Sequence, residues 1–516
     1  MAKKEKKKGQ GAKKTTAKTE KKALQKLKKE LAANGEDDIE TLIAQFVEED
    51  RKKLQITEEL VGPPSCRSGA TLCAHPEKDE LLLFGGEYYN GKKTIMYNEL
   101  FVYNIKKNNW LLVKGPNFPP PRCAHQAVMA PQGGGQMWIF GGEYASPTKS
   151  QFHHYKDLWV YYIASQSWEQ VRAPGGPSAR SGHRMVLVNR QLLLFGGFHE
   201  SFRDYRYFND VYLFRLDLRT WTKLEFSNSG PSPRSGCQLL PVGEAKALVY
   251  GGYSREKTKS EFDQGKAFGD MYLLQCDPEN SGKCKWSKVK QAGCQPGPRS
   301  GMSVAALPHS NRAYFFGGVQ DQEMEETLVG HFFNDLFCLD MDKGFWQSVT
   351  LKGDKGIVQL GDSSAQEEGP HEGLHKLHIE EPVVTSDDGV FTVTIGASKH
   401  KAPVEPMHHE PTTSKERKDT FAPVSRMGSC MAIKHGVLYL YGGVFEDEDR
   451  QFTLSDMYAL DLRKLDEWKV LVPLAPEAHE WLGSDDSDLE SEESDVEDED
   501  DEDSEKGACA SRNSKK

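Results

Sequence analysis

No stretch of this chain is long and apolar enough to suggest a membrane helix. The longest apolar runs are strand-sized, such as Leu81-Leu82-Leu83-Phe84, against the ~20 residues a spanning helix needs. The opening Met-Ala-Lys-Lys-Glu-Lys-Lys-Lys has no apolar run behind it, so no secretory leader is expected. The ten cysteines lack the short paired spacings of a zinc or disulfide framework, so reduced thiols are expected, mostly as small buried core residues. No glycine-rich turn has the strand–loop–helix setting and lysine of a phosphate cradle, and Gly133-Gly134-Gly135 reads as a plain loop.

Charge of one sign is missing from the body of the chain but not from its ends. Residues 1–30 hold 13 Lys and 3 Glu, and residues 484–516 hold 15 Asp/Glu and 4 Lys/Arg. The body between them is mildly acidic, which argues against a nucleic-acid-binding domain. Mean hydropathy is −0.64, low for a wholly packed chain, and both tails have the composition of disorder.

What is present is a repeat. Six times, an Arg is followed two residues later by a small residue. About 17 residues on, an apolar run ends in Gly-Gly, then come a variable stretch, an acidic residue opening an aromatic strand, and one Trp. The arginines are Arg67, Arg122, Arg180, Arg234, Arg299 and Arg426, and the acids are Glu99, Asp157, Asp210, Asp270, Asp335 and Asp456. The glycine pairs are Gly85-Gly86, Gly141-Gly142, Gly196-Gly197, Gly251-Gly252, Gly317-Gly318 and Gly442-Gly443; the tryptophans are Trp110, Trp168, Trp221, Trp286, Trp346 and Trp468. Each unit reads as four short strands, in the third unit His183–Val188, Gln191–Phe195, Asp210–Leu216 and Thr220–Leu224. A lone four-stranded sheet cannot bury both faces, whereas radial stacking buries them, so the expected fold is an all-β, six-bladed propeller. Gly-Gly should leave room for the neighbouring blade and Trp should wedge between blades.

These units resemble the kelch repeat over residues 62–350 and 421–473. Through Phe84-Gly85-Gly86-Glu87-Tyr88, Phe140-Gly141-Gly142-Glu143-Tyr144 and Phe195-Gly196-Gly197-Phe198-His199-Glu200-Ser201, and through its tails, the whole chain resembles the kelch domain-containing protein 4 family. The expected organisation is a basic disordered tail over 1–34, a short amphipathic helix over 35–54 that packs on the propeller, blades 1–5 over 62–350, a mostly disordered insertion over 351–420, blade 6 over 421–473, and an acidic Ser-rich tail over 474–516.

Turn parity in a four-stranded meander puts the arginine turns and the loops after Gly-Gly at one end of the ring. That end is the expected partner-binding face, formed by the six arginines with Tyr88, Tyr144, His154, Tyr155 and Tyr205, because Arg with aromatics is the composition of interface hot spots. In some kelch domains the equivalent arginines grip acidic peptides, so the resemblance implies an acidic peptide as guest. The competing reading is that each Arg braces its own turn. The expected function is a non-enzymatic scaffold or adaptor, with no cofactor and no small-molecule substrate, inside the cell in cytoplasm or nucleus. The basic tail offers a weak nucleic-acid or ribosome contact.

A ubiquitin-ligase substrate receptor is the alternative, although residues 1–61 are too short for a BTB-like region. A metal-dependent enzyme ranks lower. His371, His375 and His378 have ligand-like spacing only if helical. The Glu-x3-Asp-x3-His motif of iron-holding kelch rings is missing, since Glu261 is followed four residues later by Gly265. Ser487 and Ser494, each with Glu three residues on, suit an acidophilic kinase.

Overall fold

A computed structural model describes residues 38–352 and 421–474, apart from 54, 202–203, 257–263, 277–283, 325–326 and 448–449. The tails, the insertion, His371, His375, His378, Ser487 and Ser494 lie outside the described residues.

Six antiparallel sheets form a six-bladed propeller. In blade 2 the order from the axis outward is Gln126–Ala130, Gln136–Phe140, Leu158–Tyr162 and Ser167–Val171. Each blade takes its four core strands from one continuous stretch of chain, so the ring closes between blade 6 and blade 1 through side chains and loop hydrogen bonds. Tyr441 donates its hydroxyl to the Ser65 carbonyl at 2.9 Å, and buried Lys434 donates to the His75 carbonyl. A strand the repeat did not foretell, β1 (Thr57–Val61), adds to the outer edge of blade 1 against Asn109–Lys114.

The six tryptophans are all buried, one in each of the six interblade cores. Each meets the aromatic that precedes Gly-Gly in the neighbouring blade. Trp168 lies 5.2 Å from Phe84, Trp346 4.8 Å from Tyr250, and at the closure Trp110 lies 6.2 Å from Tyr441, between ring centroids. The wedge role is therefore literal: the indole fills the gap between two twisted sheets.

The glycine pairs work as expected. Gly85 and Gly86 have φ of 70° and 101°, and a Cβ on Gly85 would sit 2.7 Å from the Arg122 carbonyl of the next blade. That closeness allows Gly86 N–H to donate to the same carbonyl at 2.9 Å.

Beyond Gly-Gly the structure departs from a loop reading. The second and third strands of blade 3 are Gln191–Ser201 and Asp204–Arg215, paired past a bulge between Phe195 and Gly197. In every blade the variable stretch is thus a β-hairpin standing off one end of the ring. In blades 3, 4 and 6 the glycines kink the strand without ending it, and in blades 1, 2 and 5 they separate the blade from a two-stranded hairpin.

The helix α1 (Ile39–Lys52) lies on two of these hairpins. Ile39, Leu42, Ile43 and Phe46 pack with Met96 of blade 1 and Tyr144, Ala145 and Tyr155 of blade 2. Polar ties fix its two ends, Ile39 N–H to Gln151 Oε1 at 3.2 Å and Asn98 Nδ2 to Asp50 Oδ2 at 2.9 Å.

One cysteine expectation is corrected. Cys276 and Cys284 face each other across the third and fourth strands of blade 4 and form a disulfide. Cys73, Cys123, Cys237, Cys338 and Cys430 are free and buried.

Candidate partner-binding face

The six repeat arginines do sit at the hairpin end of the ring, but they do not face outward. Their exposure runs from 0% to 6%. In blade 2, Arg122 Nε donates to the Pro120 carbonyl at 3.0 Å and Nη1 to the Gly141 carbonyl at 3.0 Å. Both Nη atoms clasp Asp157, at 2.8 and 2.9 Å, and the guanidinium lies 4.1 Å from the Tyr155 ring. Asp157 is held below the usual carboxylate range: burial pushes it up, and Arg122 outweighs burial.

The same set recurs around the ring. Arg67 pairs with Glu99, Arg180 with Asp210, Arg234 with Asp270, Arg299 with Asp335 and Arg426 with Asp456. The expected cationic rim is therefore corrected: Arg67, Arg122, Arg180, Arg234, Arg299 and Arg426 brace their turns and are closed to a partner. The sequence carried the signal, since each repeat supplies one acid per arginine, but the two were read as separate markers.

Three of the five aromatic positions are buried as well. Tyr144 lies beneath α1, with its ring centroid 6.0 Å from Phe46. Tyr155 covers Arg122 and donates its hydroxyl to the Pro121 carbonyl at 3.1 Å. His154 Nε2 accepts the Glu200 N–H at 3.1 Å, and burial lowers its pKa to about 4. Its Nδ1 is 3.5 Å from Glu143 Oε2. Burial pushes Glu143 up to about 7, opposed by the Ser181 hydroxyl and reinforced by Glu87 and Glu200. Tyr88 and Tyr205 remain half-buried on hairpins.

The hairpin face is uneven in charge and in apolar surface. On blades 3 and 4, Phe198, Tyr205 and Tyr253 gather around Tyr207, at centroid spacings of 5.0, 6.0 and 6.4 Å from its ring. Exposed Arg255 lies beside them, 6.0 Å from the Tyr205 ring, while exposed Arg206 and Lys266 stand on the other face of the same hairpins, near Phe208 and Phe268, with Lys266 paired to Glu256. On blades 5 and 6 the corresponding hairpins carry Asp321 and Glu446, both raised by burial, Glu446 also by Asp321. Blades 1 and 2 are covered by α1. The insertion leaves with Lys352 N–H on the Leu465 carbonyl, in the turn between the outer strands of blade 6. It returns with Phe421 against Tyr458 at 5.5 Å.

A closed ring of four-stranded blades, each with its Gly-Gly, a buried Arg paired with an acid and a wedge Trp, defines a kelch-type β-propeller. Comparison with known proteins agrees. The model for the "KLHDC2/KLHL20/DRC7 Kelch-repeats domain" matches residues 33–252, and the repeats there are of the kelch kind. It is 28% identical over 238 residues to Tip elongation aberrant protein 1 of Schizosaccharomyces pombe, covering 46% of this chain and 19% of that one. It is 27% identical over 303 residues to human Host cell factor 1, covering 53% and 13%. It is 26% identical over 415 residues to human Leucine-zipper-like transcriptional regulator 1, covering 79% and 43%. The chain thus spans less than half the length of these relatives. A solved structure of YjhT aligns with a TM-score of 0.47 at 14% identity, covering 80% of this chain and 99% of that one. No helix among the described residues is long and apolar enough to cross a membrane.

Proposed function

We propose that this chain is a non-enzymatic scaffold that binds an acidic segment of a protein partner on the hairpins of blades 3 and 4. The kelch relatives support protein–protein interaction as the general role. The observation that carries the finer reading is the Tyr205–Tyr207–Tyr253 cluster with exposed Arg255 against it, and exposed Arg206 and Lys266 on the other face of the same hairpins. Tyrosine rings offer amphipathic area at low entropic cost, and the guanidiniums select carboxylates by bidentate bonding. The acidic partner expected from the sequence is kept, and its contacts move from the buried repeat arginines to these hairpin residues.

The test is affinity measurement with a captured partner and the double variant Arg206→Glu, Arg255→Glu. The expected result is at least a tenfold loss of affinity with thermal unfolding unchanged. Equal affinity in wild type and variant refutes this face.

A further inference from the structure

The axis of the ring holds a cavity of about 300 Å³, at the small end of ligand-site volumes. Its character follows from the repeat. Four residues after each repeat arginine, the innermost strand of each blade begins with Thr71, Gln126, Arg184, Gln238, Ser303 or Cys430. All six line the cavity, so blade equivalence places them in one ring around the axis. Four are polar and neutral, one is a cysteine, and Arg184 is the single charge. No Asp or Glu is among the described residues of the lining.

Thr71, Gln238 and Ser303 are tied to the neighbouring blade, and Gln126 to the residue before it. Thr71 Oγ1 lies 2.9 Å from His125 Nε2, Gln126 Nε2 donates to the His125 carbonyl at 3.1 Å, and Ser303 Oγ donates to the Ser429 carbonyl at 2.7 Å. Gln238 Nε2 donates to the Met302 carbonyl of the next blade. Arg184 differs. Among the described residues its one hydrogen bond runs from Nη1 to the carbonyl of the preceding His183, at 3.3 Å, and it has no carboxylate partner. The repeat arginines, each four residues before the inner-strand position of its own blade, all have one. A guanidinium carries five donors in a fixed fork, so half-buried Arg184 keeps donors on the cavity wall that no carboxylate of the described residues takes up.

We infer that this axial cavity binds one small oxyanion, of the phosphate or carboxylate class, on Arg184. The ion supplies the countercharge that the chain withholds at this position. This inference goes beyond the partner-binding reading: it concerns the inside of the ring, and neither depends on the other.

Isothermal titration of the full chain with inorganic phosphate at constant ionic strength tests it, with acetate as a second arm to separate the two ion classes. One saturable site is expected for at least one of the probes. Arg184→Gln should weaken it at least tenfold, Arg184→Lys should retain most of it, and Arg190→Gln, on the turn at the other end of blade 3, should leave it unchanged. Gln126→Glu places a carboxylate on the neighbouring inner strand and should also abolish binding. That variant keeps the test decisive if Arg184→Gln fails to fold. Absence of a saturable site for both probes overturns the inference, as does binding that survives both Arg184→Gln and Gln126→Glu.

Discussion

Replacing Arg426 by methionine separates a bracing arginine from a contact arginine. Arg426 and Asp456 both have side chains at 0% exposure, joined by bonds of 2.6 and 2.7 Å. Arg426 also satisfies the Val424 and Gly442 carbonyls, each at 3.0 Å. Methionine keeps much of the packing but strands a buried carboxylate, leaving it the Tyr458 hydroxyl at 2.7 Å. Breaking such a pair costs about 3–5 kcal/mol. The same change at Arg67 should cost less, about 1–3 kcal/mol, because Glu99 is 38% exposed and water can replace the guanidinium there. The double change Arg426→Met, Asp456→Leu should recover most of the loss, since no unpaired charge remains. Urea unfolding followed by tryptophan fluorescence reads all three. The bracing account is refuted if Arg426→Met costs under about 1 kcal/mol, or if it spares stability while abolishing partner binding.

Other outcomes follow from the same geometry. Trp346→Ala removes an indole at 0% exposure and should cost about 3–5 kcal/mol in the same assay. Gly85→Ala should lower the unfolding midpoint, because its Cβ would lie 2.7 Å from the Arg122 carbonyl at a φ of 70°; an unchanged midpoint would mean that the blades pack more loosely than described. Burial, then Arg122, lower the His125 pKa to about 3, opposed by Asp157. Unfolded, this imidazole takes a proton near pH 6.5, so its contribution to stability is full above that pH and is lost as pH falls towards 3. A His125→Gln variant should therefore lose less stability than wild type between pH 6.5 and 4, by up to about 3 kcal/mol. Parallel stability–pH curves for the two would contradict the assignment.

Much of the ring was legible because its markers each have one physical job that recurs. Trp221 and Gly196-Gly197 could be read as wedge and clearance from spacing alone, and the inner and outer strands of blade 3 fell within a residue of expectation. Depth was not legible. Arg122 near a turn looks alike in sequence whether it points to water or to Asp157, and the choice is made by the Gly141 carbonyl and Tyr155 ring, which only folding brings near. The hairpins were missed because Gly-Gly reads as a strand end, while here it makes a bulge through which pairing continues to Ser201 and Asp204. The amphipathic pattern of α1 was plain, yet nothing in it foretold that Phe46 would cover Tyr144.

The partner-bound footprint is the most direct test of where this scaffold works. Hydrogen exchange of the full chain, with and without its captured partner, should show new protection over 198–201, 204–207, 253–256 and 264–268, the strands around Tyr205, Tyr207 and Tyr253. Protection confined to the opposite end of the ring, at the turns around Arg190, Gly243 and His309, would contradict the account.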